Sequence, residues 1–427
     1  MKRLGLIAAA VLLTFTLAAC GSANKASEGS NEAAVKNLTI WTTWASDGDT
    51  FKAPIDKIVA DWNANNPTIQ LKVEATAGES YKTKIKTAAA ANELPDIFFT
   101  WGAGFSKPFA ESGTLLPLNE YLNDGTKDRV LAGSLENFTY DDNIYGLPFT
   151  LYVGTFFVNE ELFDANGIAV PANYEELLTA VKAFREKGIN PIAVGGKDLW
   201  PSMFYYDVLA LREGGADLNL DALKGGTSFE DPVFVEAARK LQELANADAF
   251  ADGFMGLSRD ESEAVFASGQ IPMYYNGSWV ATALESDSSA IKGKVKAMNF
   301  PLVSGTTSSG DEWLGGVNDT FMVSSNTPHK DEAVQVLKYL TENLSNEGYQ
   351  VGAGLPTWKT TEVDESKINP LLADLVKQTE SATGIVPPWD IYLEGQDAEK
   401  HKNLVAQLLT NNITPEQFAK EMQAINE

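Results

Sequence analysis

From residue 38 onward the chain alternates short apolar runs with amphipathic stretches. Leu38-Thr39-Ile40-Trp41-Thr42 has the β-branched and aromatic content of a strand. After a polar loop from Trp44 to Asp49, the residues Phe51, Ile55, Ile58, Val59 and Trp62 recur at the spacing of one helix face. Asn65-Asn66-Pro67 ends that helix. Ile69, Leu71 and Val73 alternate as a second strand, and residues 81–91 read as a second helix. Pro95-Asp96-Ile97-Phe98-Phe99 reads as a third strand running into Thr100-Trp101-Gly102. Strand, helix, strand, helix, strand predicts a mostly parallel sheet in an α/β fold.

The alternation continues. Tyr145-Gly146-Leu147-Pro148 leads into an apolar run from Phe149 to Val158. Asn173-Tyr174-Glu175-Glu176 is a capping box; Leu177, Leu178, Val181 and Phe184 follow on one helix face, and Gly188 is the stop. Ile192-Ala193-Val194 reads as a strand, and Asp198-Leu199-Trp200-Pro201 leads into a helix over Met203 to Leu211. Asp231-Pro232 and Ser258-Arg259-Asp260-Glu261 open two further helices. The stretch from Ile271 to Trp279 predicts a buried strand that stops at a tight Asn276-Gly277 turn, with a helix starting near Ser278. Ligands of α/β folds sit beyond the carboxyl ends of strands, so Trp279 either caps the core or forms part of a site. Val295 to Phe300 reads as a strand, and Trp313 to Asn318 as a loop entering the strand Thr320-Phe321-Met322-Val323. Lys330 to Leu344 is amphipathic, and Thr414-Pro415-Glu416-Gln417 caps a terminal helix.

Length and composition sharpen the picture. A chain of 427 residues with 44% hydrophobic content can build two cores. The net charge is −25, with acidic and basic residues interspersed, which disfavours nucleic acid and anionic lipid as partners. Arginine is scarce, which disfavours a multiply anionic ligand. The single cysteine, Cys20, leaves no internal disulfide. Lys2-Arg3, the apolar run Leu4 to Leu17 and Ala18-Ala19 predict a signal segment over residues 1–19, too short for a stable membrane span. Residues 20–37 read as a flexible tether.

Nine tryptophans carry the candidate chemistry. Trp41 and Trp62 fit core positions. Trp44, Trp101, Trp200, Trp279, Trp313, Trp358 and Trp389 lie in or beside predicted loops. An electron-rich ring face matches the apolar C–H face of a pyranose, while hydroxyls at the sugar's edge remain free for polar partners. No Gly-x-Ser-x-Gly, His-Glu-x-x-His or phosphate-loop pattern occurs. His329 and His401 fall at predicted polar helix ends and read as solvated, so no metal or cofactor is expected. With 58 carboxylates, counting alone leaves a glycosidase pair open.

Gly269-Gln270, the short apolar strand and Asn276-Gly277-Ser278-Trp279 resemble the extracellular sugar-binding proteins of bacterial ABC importers, the maltose-binding type. So do Asn65-Asn66-Pro67, Leu94-Pro95-Asp96-Ile97, Gly113-Thr114-Leu115-Leu116-Pro117-Leu118 and Asn159-Glu160-Glu161-Leu162-Phe163. Leu17-Ala18-Ala19-Cys20 resembles the lipobox of bacterial lipoproteins, in which the cysteine carries lipid. The resemblance implies a periplasmic-binding-protein type II fold: two discontinuous α/β lobes, a three-crossing hinge, and ligand in the interlobe cleft. It implies a first lobe of residues 38–148 and 303–349 and a second of 149–302 and 350–427, with crossings near Pro148, Leu302 and Tyr349. The implied ligand contacts are Trp44, Asp47, Trp101, Tyr152, Trp200, Asn276, Trp279, Trp313, Gly315, Gly316 and Trp389. Asn276 otherwise holds its turn, and Gly315-Gly316 otherwise forms a plain one. The implied function is a lipid-anchored monomer on the extracellular face of the cytoplasmic membrane. It captures an oligosaccharide, such as an α-galactoside, and delivers it to ABC permease subunits without breaking a bond. The alternatives are a secreted carbohydrate-active lipoprotein enzyme and a binding protein for a non-sugar ligand.

Overall fold

The computed structural model describes residues 35–131, 133–359, 364–393 and 395–425. Cys20, the predicted signal segment and nearly all of the predicted tether lie outside the described residues. Strand β1 (Lys36–Thr42) runs parallel to both β2 (Ile69–Ala75) and β3 (Ile97–Trp101), as the alternating pattern predicts. The helix Lys52–Asn65 buries Ile55, Ile58, Val59 and Trp62 against this sheet. A short hairpin, β4 (Thr139–Tyr140) with β5 (Asn143–Ile144), follows.

Two long strands then carry the sheet onward. They are β6 (Gly146–Asn159) and the antiparallel β10 (Glu312–Val323). Around them lie β7 (Ile192–Ala193), β8 (Met273–Gly277), β9 (Val295–Met298) and β11 (Gly384–Val386). The main path is β2-β1-β3-β10-β6-β8-β7, with β9 on β6 and β11 on β10. At one end β10 pairs with β3 from Asp319 to Val323, and at the other Glu312 to Leu314 pair with β11. Between those ends its register against β6 shifts twice, once between Gly316 and Asp319 and again between Asp319 and Thr320. After the helix Lys330–Val351 the chain returns by a third passage, with Leu355 bridged to Leu151. The result is a type II fold of two α/β lobes with three passages of the chain between them, two of them strands.

Each lobe has its own core. Leu38, Ile40, Phe99, Phe149, Phe321 and Leu337 are buried together in the first lobe. In the second, one cluster holds Phe156, Tyr206, Phe234, Trp389 and Phe418, and another holds Val153, Tyr274, Leu284 and Leu372. Val303, Trp313 and Leu314 pack within the second lobe's clusters, so the chain is still among them well past Leu302.

Three local expectations change. Asn276-Gly277 is the end of β8, not a tight turn: Gly277 is extended (φ −69°, ψ 156°). Its glycine is needed for another reason, because a Cβ there would lie 1.9 Å from the Trp279 ring. Trp313 to Asn318 is strand, not loop. Gly315 (φ 149°) lets β10 approach β6 so closely that a Cβ would meet the Tyr152 carbonyl oxygen at 2.2 Å. His401 is fully buried, not solvated. It lies on the inner face of the helix Gly395–Leu409 with Ala398, Val405 and Leu408.

Candidate ligand-binding cleft

Where β6 and β10 pass between the lobes, a cleft opens that is walled by aromatic rings from both sides. On the first lobe, Trp44 follows β1 and packs on Phe51 and Phe99, each 5.1 Å away between centroids. Trp101 ends β3 and meets Phe99 at 4.9 Å and Phe105 at 5.1 Å, both edge-on. The chain then turns through Ala103 at φ 49°. On the second lobe, Trp200 opens the helix Trp200–Leu223, directly after Leu199 at φ 64°, ψ −48°. A leucine in that conformation is strained, and strain of this kind collects at functional sites. Trp279 sits in the short turn after β8, 4.7 Å from Tyr152 and 6.2 Å from Trp200. Asn318 Nδ2 donates to the Tyr152 hydroxyl at 3.2 Å, which orients that ring. Trp44 and Tyr152 are largely buried, whereas Trp101, Trp200 and Trp279 keep part of their surface open.

The cleft encloses about 1350 Å³ including its open mouth. Its cavity volume apart from that open space is about 230 Å³, below the roughly 300–1,000 Å³ of a typical small-molecule pocket.

Charged groups ring the aromatic walls. Arg259, on the helix Arg259–Ala267, pairs with Asp260 at 2.6 Å and Glu263 at 2.9 Å. It also reaches Asp49, from the loop after β1, at 3.9 Å. Its backbone N–H donates to the Asp198 carboxylate at 2.7 Å. Burial works to lower the Arg259 pKa, but Glu263 and Asp260 hold it above the ordinary value. Burial raises the Glu263 carboxyl. Lys82 pairs with Glu79 at 2.9 Å and stands 5.1 Å over the Trp101 ring. Asp390, on the helix Trp389–Tyr392, lies 3.9 Å from Lys402. Asp319 also lines the cleft, and burial pushes its carboxyl up to about 7. Among the described residues no group of three or more His, Cys, Asp or Glu could hold a metal ion, and no helix is long and apolar enough to cross a membrane.

Of the residues expected from sequence, Trp44, Trp101, Tyr152, Trp200 and Trp279 come together in this lining. Asp47 is exposed on its loop, and Asp49 lines the cleft instead. Asn276 is fully buried, donating to the Tyr274 hydroxyl and accepting from the Gly277 N–H. Gly315 and Gly316 serve the pairing of β10 with β6. Trp313 and Trp389 are buried in the second lobe's cores, and Trp358 in the first lobe's. Trp389 stacks on His401 at 5.2 Å, and its neighbours Asp390 and Ile391 reach the cleft. The sequence reading missed Asp49, Lys82, Asp198, Arg259, Asp319 and Asp390. For Asp49, Asp198, Arg259 and Asp390 the available signal was their position within two or three residues of a helix start that also carries an aromatic or a cap.

A cleft between two discontinuous lobes, aromatic on both walls, defines a solute-capturing protein. Residues 42–345 match the family of bacterial extracellular solute-binding proteins, and the chain belongs to that family. Three relatives illustrate the likeness. A solved structure from work on xylan utilization by the thermophilic bacterium Caldanaerobius polysaccharolyticus is 47% identical with a TM-score of 0.88, the match covering 91% of this chain and 99% of that one. A chitin oligosaccharide binding protein is 27% identical with a TM-score of 0.83, covering 92% and 98%. The multiple sugar-binding protein of Streptococcus mutans is 23% identical over 389 residues, 87% of this chain and 85% of that one.

Proposed function

We propose that this protein captures a neutral, β-linked oligosaccharide of the xylan type between its lobes and hands it to the transmembrane subunits of an ABC importer. The observation that carries the reading is the pair of aromatic walls: Trp44 and Trp101 on one lobe, Tyr152, Trp200 and Trp279 on the other. Such walls stack on the C–H faces of sugar rings. The surrounding carboxylates accept from sugar hydroxyls, and Lys82 and Arg259 donate to their oxygens. The 47%-identical neighbour from xylan-utilization work and the chitin oligosaccharide binding protein support a β-linked chain over the α-galactoside expected from sequence.

In this reading the hinge lies at Thr150-Leu151, between Gly316 and Asp319, and at Ala353 to Leu355. The lobes close on the sugar, and Asp49 meets Arg259 across the cleft's mouth. No bond is broken. Lipid on Cys20 holds the monomer to the extracellular face of the cytoplasmic membrane.

A thermal-shift panel of xylo-oligosaccharides, chito-oligosaccharides and α-galactosides tests this, because a ligand of the native state raises the melting midpoint. The largest rise is expected with xylo-oligosaccharides, with no shorter products formed. A rise confined to α-galactosides would replace the sugar class. Shorter products would replace the binder with an enzyme, and no rise with any sugar would overturn the reading.

A further inference from the structure

Most charged groups of the cleft already have partners. Arg259 is held by Asp260 and Glu263, Lys82 by Glu79, and Asp390 lies near Lys402. The Asp198 carboxylate accepts from the Arg259 backbone, and that of Asp49 from the Ser46 N–H. Asp319 differs. Its backbone faces Trp101 of β3 on one side and Thr150 of β6 on the other, between the two register shifts of β10. Irregularities of this kind re-aim a side chain next to a site. The side chain lines the cleft together with Trp101, Thr150 and Tyr152. Burial is the only influence found on its carboxyl, with no hydrogen bond or ion pair to it among the described residues.

We infer that Asp319 is a specificity-determining residue, a carboxylate that accepts sugar hydroxyls and turns away glycans bearing a carboxylate of their own. The inference rests on the oligosaccharide reading above and narrows it to uncharged chains. The physical argument has two parts. A carboxylate in a partly desolvated site makes short, charge-assisted hydrogen bonds to hydroxyl donors. The same low dielectric magnifies repulsion from a second carboxylate, so like charges are rejected more strongly than in water. The other carboxylates sharing the cleft are Asp49, Glu79, Asp198, Asp260 and Asp390. Its remaining charged or titratable groups are Lys82, Arg259 and Tyr152, so the balance of charge points the same way.

Burial that raises the Asp319 carboxyl to about 7 supplies a distinctive readout. The part of the repulsion that Asp319 supplies appears only when Asp319 is ionised, while a uronic acid is charged across the whole range. Discrimination therefore weakens below neutral pH and strengthens above it.

The experiment compares, by calorimetry, a linear xylo-oligosaccharide with the same chain carrying one glucuronic acid. Wild type and Asp319→Asn are each measured at about pH 5.5 and about pH 8, either side of that carboxyl's range. For wild type the acidic chain is expected to bind at least tenfold more weakly at the higher pH, with the ratio shrinking severalfold at the lower. In Asp319→Asn the ratio should be smaller than in wild type at the higher pH and nearly independent of pH, with the neutral chain bound more weakly than by wild type. A ratio that the substitution leaves unchanged, or one with no pH dependence in wild type, overturns the inference alone. Wild type that binds neither chain overturns the xylan reading and this inference with it. Should Asp319→Asn fail to fold, the pH dependence of the wild-type ratio still decides the question.

Discussion

The Trp279 indole stands edge-on to the Tyr152 phenol, with centroids 4.7 Å apart and planes at 78°. The contact fixes the indole by its neighbour while part of its surface stays open to the cleft. Trp279→Ala should therefore weaken oligosaccharide binding by about 2 kcal/mol, the scale of a hot-spot aromatic, or about thirtyfold. A core cap would instead cost roughly 3–5 kcal/mol of folding stability. Calorimetry and denaturant melts without ligand separate the two. A variant that is much less stable yet binds normally would move Trp279 from the site to the core.

Gly277 makes that placement possible. A methyl group there would fall 1.9 Å from the indole, so Gly277→Ala must displace the ring. The expected result is a loss of about 1–3 kcal/mol of stability from overpacking. The affinity loss should approach that of Trp279→Ala. Normal affinity in this variant would show that the ring's position does not matter to the ligand.

The strands and helices with strict periodicity were legible from sequence. β1 to β3, the helix Lys52–Asn65 and the capping boxes at Ser258 and Thr414 all form where the pattern places them. Glycine misled twice. Gly277 read as a turn and Gly315-Gly316 as a ligand contact or a plain turn, but at Gly277 and Gly315 glycine answers to a ring and a strand lying too close for a Cβ. That crowding involves residues distant along the chain, so local pattern does not encode it. The tryptophans divided for a similar reason. Trp389 sits beside loop residues as Trp200 does, yet its backbone N–H, donated to Asp207 at 3.0 Å, and its stacking on His401 anchor it inward. His401 donates to or accepts from the same aspartate at 2.9 Å, a pairing between residues far apart in sequence. The spacing Ala398, His401, Val405, Leu408 could have revealed its buried face.

Asp319 should cost stability in the ligand-free protein. Its folded carboxyl, at about 7, titrates above the unfolded value, so stability is full below about pH 4 and falls as pH rises through 7. Three pKa units correspond to about 4 kcal/mol as an upper bound. Asp319→Asn should melt higher than wild type at about pH 8, with the gap closing toward about pH 4. Equal melting at both ends would remove the buried charge from the account.

Cys20 is proposed to carry the membrane anchor. One acyl chain holds weakly and two hold well, so diacylation is expected. In detergent partitioning, wild type expressed in a bacterial host should enter the detergent phase and Cys20→Ser the aqueous phase. Equal partitioning into water would remove the anchor.

The central claim is that an oligosaccharide is held between the two aromatic walls. Calorimetric titration of the wild-type protein with a neutral linear xylo-oligosaccharide tests it most directly. The account predicts one saturable site per chain. An absence of saturable heat at millimolar sugar would contradict it.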